Sequence, residues 1–161
     1  TVGSLRKLDG LVDVYLPDCK FYFAEISKKY AKAEDSFEVA KAAIAEMVRQ
    51  VGEPVFDDET RNMIKGVIVR HLVLPGHTKD SMEILKYLHE TYGNQIYVSI
   101  MNQYTPVIEQ KEYINLNRRV TKREYQKVLD YAIELGIENA FIQEGETAKE
   151  SFIPEFDCSF I

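Results

Sequence analysis

The feature that most constrains the fold is a regular alternation, from Gly10 onward, between short apolar segments and amphipathic segments with helical spacing. Short runs rich in β-branched, aromatic and leucine residues predict strands, and apolar residues three and four apart predict helices. The predicted strands are 10–20, 66–74, 96–101 and 140–143, and the predicted helices are 36–51, 79–92 and 122–135. Strands that are apolar almost throughout are typical of parallel sheets covered by helices. The sequence therefore predicts the α/β class.

The predicted helix ends carry recognisable start and stop residues. Ser36 is placed to cap the first predicted helix, and Gly52 is placed to end it. Thr121 followed three residues later by Glu124 fits a capping box, in which each residue satisfies a backbone N–H at the start of the helix. Gly136 follows as a stop. These signals predict the bounds of two of the three helices.

Composition limits the classes of function. The 161 residues are 45% hydrophobic and 29% charged, as expected for a single globular domain over 1–161. The net charge of −6 is spread along the chain, which argues against nucleic acid as a partner. No apolar run approaches the ~20 residues that span a bilayer, so a cytoplasmic protein is expected. Cys19 and Cys158 are too far apart in sequence to indicate a disulfide framework or a local metal site.

Charged residues follow the first predicted strand, where parallel α/β folds place their chemistry. This strand ends in Pro17-Asp18-Cys19-Lys20, and alternation places Asp18 and Lys20 on one side and Cys19 on the other. A carboxylate and an ammonium together could bind a charged ligand. A solvated ion pair at a strand end is the simpler interpretation, and the sequence alone favours it.

Polar residues in the next two strands complete the candidate site. Arg70 lies inside the apolar run VIVRHLVL, where a guanidinium is costly to bury unless it meets an anion. That anion could be a ligand or a neighbouring carboxylate such as Asp18. Asn102 and Gln103 end the third strand, and their amides could hydrogen-bond a small ligand or the backbone of the strand.

Other common chemical motifs are missing from the sequence. The spacing of His71, His77 and His89 matches none of the usual zinc patterns, so all three are interpreted as structural or surface residues. The sequence contains no P-loop, no dinucleotide-binding glycine motif and no nucleophile elbow.

Three segments resemble the radical S-adenosylmethionine superfamily, specifically the relatives of pyruvate formate-lyase activating enzyme. The segments are 12–20 (VDVYLPDCK), 67–80 (VIVRHLVLPGHTKD) and 97–105 (YVSIMNQYT). Activating enzymes show a D-x-K strand ending, a strand with R-x-x-x-x-P-G and a third strand with a polar end. The matching residues here are Asp18, Lys20, Arg70, Pro75 and Gly76. The similarity covers nearly the whole chain.

The resemblance implies the C-terminal part of a partial (β/α)6 TIM-like barrel with parallel strands and outer helices. It implies an oxidoreductase whose cofactors are S-adenosylmethionine and a [4Fe–4S] cluster, and whose chemistry is hydrogen abstraction by a 5′-deoxyadenosyl radical. In activating enzymes the substrate is a glycine of a partner protein. By position, Asp18, Lys20 and Arg70 would face the cofactor carboxylate or the substrate. Asn102 and Gln103 would contact the adenosyl portion.

The chain also departs from this family. It lacks the C-x3-C-x2-C cluster motif and the glycine-rich strand end that follows it, and Gln103 stands where activating enzymes commonly have a His. We therefore expect these 161 residues alone to be inactive, and to associate as a homodimer through an exposed sheet edge at 10–20. The alternative is a monomeric, non-catalytic α/β binding or scaffold module. A phosphate-binding barrel lyase is a weaker alternative, because no glycine-rich loop precedes a helix.

Overall fold

The computed structural model describes residues 1–106, 111–144 and 147–148. The α-helices are α1 (Val2–Arg6), α2 (Ala24–Ala31), α3 (Ser36–Val51), α4 (Thr78–Tyr92) and α5 (Lys122–Leu135). The strands are β1 (Val14–Tyr15), β2 (Val55–Phe56), β3 (Met63–Leu72), β4 (Tyr97–Met101), β5 (Ala140–Glu144) and β6 (Thr147–Ala148). Short 3-10 helices span Gly93–Gln95 and Ile114–Asn117.

The described strands form one sheet in the order β1-β3-β4-β5-β6. Strands β1, β3, β4 and β5 are parallel to one another, and β6 returns antiparallel beside β5. Strand β2 pairs antiparallel with β3. In the central register, Val69 lies opposite Val98, and Val98 lies opposite Ala140. The predicted α/β class with a parallel sheet is confirmed.

The hydrophobic core lies between one face of this sheet and the helices. Alternate residues of β3 point into it, and Val67 and Val69 are fully buried there, as is Val73 just after the strand. Their helical partners in the same cluster come from α3, α4 and α5 and include Ile44, Ile84, Leu85, Leu88 and Val128. The opposite face of the sheet carries Arg70 and remains partly accessible, because the core helices pack on the first face only. We call this second face the open face.

The strongest helix predictions are confirmed by the structure. Helix α3 spans the predicted residues and ends at Gly52, whose φ of 70° suits a residue without a side chain. Helix α5 begins with the predicted capping box between Thr121 and Glu124. The prediction of Ser36 as an N-cap is wrong, because Asp35 occupies that position and its side chain makes no capping hydrogen bond.

The prediction of one continuous buried strand over 10–20 is wrong. Only Val14–Tyr15 forms a strand, followed by an isolated parallel bridge between Asp18 and Arg70. Pro17 lacks an N–H and cannot extend the ladder as a donor. The chain nevertheless stays beside β3, since the Pro17 carbonyl accepts from Arg70 N at 2.8 Å and Cys19 N donates to the Arg70 carbonyl at 2.9 Å.

Besides the two 3-10 helices, four of the described elements were not predicted: α1, α2, β2 and β6. Each of these four is short. Strands β2 and β6 have only two residues each, and they are recognisable as strands only because they pair with β3 and β5, respectively. Among the described helices, none has both the length and the apolar character needed to cross a bilayer.

Candidate functional site

Three charged residues meet on the open face beside β3. Arg70 Nη2 lies 2.8 Å from Asp18 Oδ1, and Lys20 Nζ lies 3.2 Å from Asp18 Oδ2. Two cations therefore share one carboxylate, which leaves a net positive charge. We call Asp18, Lys20 and Arg70 the charged triad. Their side chains are 33%, 53% and 44% exposed, respectively, so the triad is reachable from solvent.

Backbone alternation explains how the charged triad forms. Asp18 and Arg70 are direct lateral neighbours through the parallel bridge, and Lys20 follows two residues later on the same side. Cys19, between them, points the other way and is fully buried. Arg70 was expected to be enclosed by its apolar neighbours. It is 44% exposed instead, because only the other face of β3 is packed against helices.

The charged triad contributes little to stability, because exposed ion pairs are typically worth about 1 kcal/mol or less. The same partial exposure lets a ligand compete for its members. A ligand carboxylate can accept hydrogen bonds from Lys20 and Arg70, and a ligand ammonium can donate a hydrogen bond to Asp18. The arrangement thus suits a small molecule that carries both charges, as the amino-acid end of a cofactor does.

A second polar group lies at the carboxyl ends of β4 and β5. Asn102 N donates to Gln143 Oε1 at 3.1 Å, and Gln143 Nε2 donates to Gln103 Oε1 at 3.4 Å. Asn102 Nδ2 also reaches the Gln143 carbonyl at 3.5 Å. We call Asn102, Gln103 and Gln143 the amide cluster. The structure therefore brings together the two predicted amides and adds Gln143 of β5, which the sequence analysis did not identify as a site residue.

Tyr125 of α5 holds the amide cluster in place. Its hydroxyl donates to the Ile100 carbonyl at 2.7 Å and accepts from Gln143 N at 2.9 Å. This buried bridge ties the ends of β4 and β5 to each other. Tyr125 thus fixes the backbone of the two strand ends that carry the three amides, and it does so from the core face of the sheet.

His71 supports the charged triad from the core side. Its Nδ1 lies 2.8 Å from the Cys19 carbonyl, which can only accept, so the neutral ring carries its proton on Nδ1. Its Nε2 is buried without a hydrogen-bond partner among the described residues. Burial lowers the pKa of His71 to about 4, partly offset by the bond to Cys19, and keeps the ring neutral near pH 7.

Asp80 positions the loop that follows Lys20, a role the sequence did not indicate. Its carboxylate, in the first turn of α4, is buried and accepts from Tyr22 N at 3.0 Å and from Phe23 N at 2.8 Å. Burial raises the pKa of Asp80, and these two hydrogen bonds oppose that rise. The carboxylate thus caps the start of α2 from a different helix.

The described residues do not fit an iron–sulfur cluster. They contain no group of three or more His, Cys, Asp or Glu side chains placed to hold a metal ion. Burial raises the pKa of the Cys19 thiol to about 12, so the thiolate that a metal requires is strongly disfavoured there. Cys158 lies outside the described residues.

Comparison with known proteins gives one informative relative. No protein-family model matches the chain, and no solved structure matches it significantly. The chain is 34% identical over 133 residues to "Uncharacterized protein MJ0674" from Methanocaldococcus jannaschii. The aligned region is 82% of this chain but 35% of that protein, so the chain spans about a third of the length of this curated relative.

Proposed function

We propose that this chain is part of a radical S-adenosylmethionine enzyme, similar to the activating enzymes of glycyl-radical enzymes. The observation that carries the proposal is the charged triad, in which Lys20 and Arg70 share Asp18 on the open face of a parallel sheet. A cytoplasmic location and a protein substrate are parts of the same proposal.

The strand order supports a barrel as the complete fold. Doubly wound sheets reverse their strand order and carry helices on both faces, whereas barrels keep sequential parallel order with helices outside. Strands β1, β3, β4 and β5 follow sequential order, and the core helices pack on one face. We therefore infer that the open face is the inner face of a partial (β/α)6 barrel whose remaining strands lie elsewhere in the protein.

The side chains present are suitable for S-adenosylmethionine. Lys20 and Arg70 would bind its carboxylate, and Asp18 would accept a hydrogen bond from its ammonium. Asn102 and Gln103 would bind the adenosyl portion, since amides match both ribose hydroxyls and ring nitrogens. When bound and reduced, this cofactor supplies a 5′-deoxyadenosyl radical that abstracts hydrogen. The contribution of these residues is to bind, orient and electrostatically balance it.

The iron–sulfur cluster of such an enzyme needs ligands from outside these 161 residues. Two cysteines cannot supply three thiolates on one loop, and the burial of Cys19 disfavours its thiolate. The proposal therefore assigns no redox step to the residues of this chain. It predicts that the chain by itself binds the cofactor measurably, though less tightly than the complete enzyme does, and does not cleave it.

Calorimetry tests the cofactor site. We expect S-adenosylmethionine to bind the wild-type chain and Arg70→Ala to weaken binding about tenfold or more, because a hydrogen bond to a charged group is lost. Lys65→Ala is the matched control, since Lys65 is an exposed cation on the same strand, outside the charged triad. Unmeasurable heats with the wild type, or equal affinities for wild type and Arg70→Ala, would refute the site.

A non-catalytic binding module is the second candidate, favoured by the missing three-cysteine motif. It would use the same charged triad for an anionic ligand without any redox chemistry. The coding sequence upstream of Thr1 separates the two candidates. A C-x3-C-x2-C motif there supports the radical enzyme, and a nearby in-frame stop without that motif supports the binding module.

A further inference from the structure

A shallow cavity of about 200 Å³ lies apart from the charged triad, between α2 and segment 112–115. It is lined by Lys29, Tyr30, Glu112, Tyr113, Ile114 and Asn115. Helix α2 follows the loop after Lys20, and segment 112–115 follows the end of β4. The cavity is therefore built from connections that leave the carboxyl ends of parallel strands, where ligands of α/β folds bind.

Lys29 places an ammonium at this cavity that no carboxylate of the described residues contacts directly, although Glu112 also lines the cavity. Its Nζ lies 5.3 Å from the centre of the Tyr30 ring and 5.6 Å from that of Tyr113. The two rings pack edge to face, with centroids 5.1 Å apart. The preceding residue, Lys28, pairs with Glu34 at 3.0 Å, whereas Lys29 forms no ion pair within the part of the chain that the structure describes. Cation–π contacts hold an ammonium in place but leave its N–H donors available.

The wall beside Lys29 is fixed by a hydrogen bond from α2 to the residue that precedes α4. The Tyr30 hydroxyl and His77 Nε2 are 2.8 Å apart, and their rings pack edge to face at 5.3 Å. Burial lowers the pKa of His77, and the Lys29 charge lowers it further. The His77 ring is therefore mainly neutral near pH 7, so the positive charge on this wall comes from the Lys29 ammonium.

Glu124 holds Gly76 and Arg118, which lie next to the Asn115 side of the cavity in space and in sequence, respectively. Its carboxylate accepts from Gly76 N at 2.8 Å and from the Arg118 guanidinium at 2.7 and 2.8 Å. The Asn115 side chain lies directly over Gly76, where an added Cβ would come within 3.5 Å of Asn115 Nδ2. The Tyr104 hydroxyl donates to the Leu116 carbonyl at 2.9 Å and anchors the same segment. The cavity is thus preformed.

We propose that this cavity binds a carboxylate group of the substrate. The Lys29 ammonium and the Asn115 amide provide donors, and the rings of Tyr30 and Tyr113 contact the adjoining carbon atoms. The Glu112 carboxylate in the lining repels a dianion such as phosphate more strongly than it repels a singly charged carboxylate. Pockets that enclose whole small molecules usually exceed about 300 Å³, so this one receives a single functional group. The inference rests on the proposed function in calling the ligand a substrate.

Nuclear magnetic resonance titration of the ¹⁵N-labelled chain tests the proposal, with propionate and inorganic phosphate as probes. We expect propionate to shift the amide signals of Lys29, Tyr30 and Asn115 in a saturable way, and phosphate to bind more weakly. Lys29→Gln should weaken propionate binding about fivefold, the size expected for an exposed charge pair. Lys28→Gln is the matched control, because it removes the same charge from the adjacent position and should leave the affinity unchanged. Glu112→Gln should strengthen phosphate binding more than propionate binding.

Three outcomes would overturn the inference: no saturable shifts with propionate, equal losses in the two lysine variants, or phosphate binding as tightly as propionate. Calorimetry with S-adenosylmethionine on Lys29→Gln separates this site from the cofactor site, and we expect no change in affinity. Propionate binding in a wild-type chain that does not bind S-adenosylmethionine would establish the carboxylate site and remove the radical-enzyme proposal.

Discussion

The buried imidazole of His71 should make the stability of the protein depend on pH in a defined window. Burial lowers its pKa from the model-peptide value of 6.5 to about 4. An unfolded chain therefore binds a proton at this residue below about pH 6.5, whereas the native protein does not until about pH 4. The native state loses stability as the pH falls through this window. The difference between the two pKa values corresponds to about 3 kcal/mol.

Urea unfolding followed by circular dichroism, for wild type and His71→Asn, measures this effect. Asparagine can keep the hydrogen bond to the Cys19 carbonyl but does not titrate. Glu46 and Glu124, whose pKa values are lowered by their hydrogen bonds to Arg49 and Arg118 respectively, also lose stabilisation in acid. That loss occurs in both proteins and cancels in the comparison.

Between neutral pH and about pH 4.5, the wild type should lose about 2 to 3 kcal/mol more than His71→Asn. The stability gap between the two proteins should narrow by this amount. Parallel curves would refute the reasoning, because they would mean that His71 is protonated as easily in the native state as in the unfolded state.

Three further predictions concern stability and assembly. Asp80→Ala should destabilise the protein by about 2 kcal/mol in urea unfolding, because it leaves the partly buried N–H groups of Tyr22 and Phe23 without their acceptor. A loss below about 0.5 kcal/mol would show that Asp80 does not cap α2. Arg70→Ala should change the free energy of unfolding by less than about 1 kcal/mol, and a larger loss would make the charged triad structural rather than functional. Light scattering should detect association through the edge strand β1, reduced by Leu16→Lys at an exposed position, and a monodisperse wild-type monomer would contradict this.

Local signals made part of the fold predictable. Helix α5 begins with a capping box and is capped at its end by Gly136, so residues close to each end in sequence determine where the helix starts and stops. Helix α2 has no such signal, because its start is capped by Asp80, which lies 57 residues beyond Phe23. The first strand was over-predicted because the prediction followed the apolar composition of 10–20, whereas Pro17, which lacks an N–H, limits the pairing with β3 to Val14–Tyr15 and an isolated bridge at Asp18.

The candidate site was predictable where strand alternation alone decides geometry. Asp18, Lys20 and Arg70 meet because parallel neighbours place them side by side, and pairing between Asp18 and Arg70 was one of the two interpretations considered for Arg70. Gln143 and Asp80 escaped prediction because each acts on residues of a distant segment. Contacts between residues far apart in the chain produce no local sequence pattern from which they could be predicted.

The capping of α2 by Asp80 also has a consequence for the order of folding. A short helix without its own start signal gains little from forming alone, so α2 should dock only after α4 has folded. Amide protons of α2 should consequently exchange faster than those of α4. The loop behind Lys20 and the lysine-bearing wall of the cavity would then open and close together as one cooperative unit.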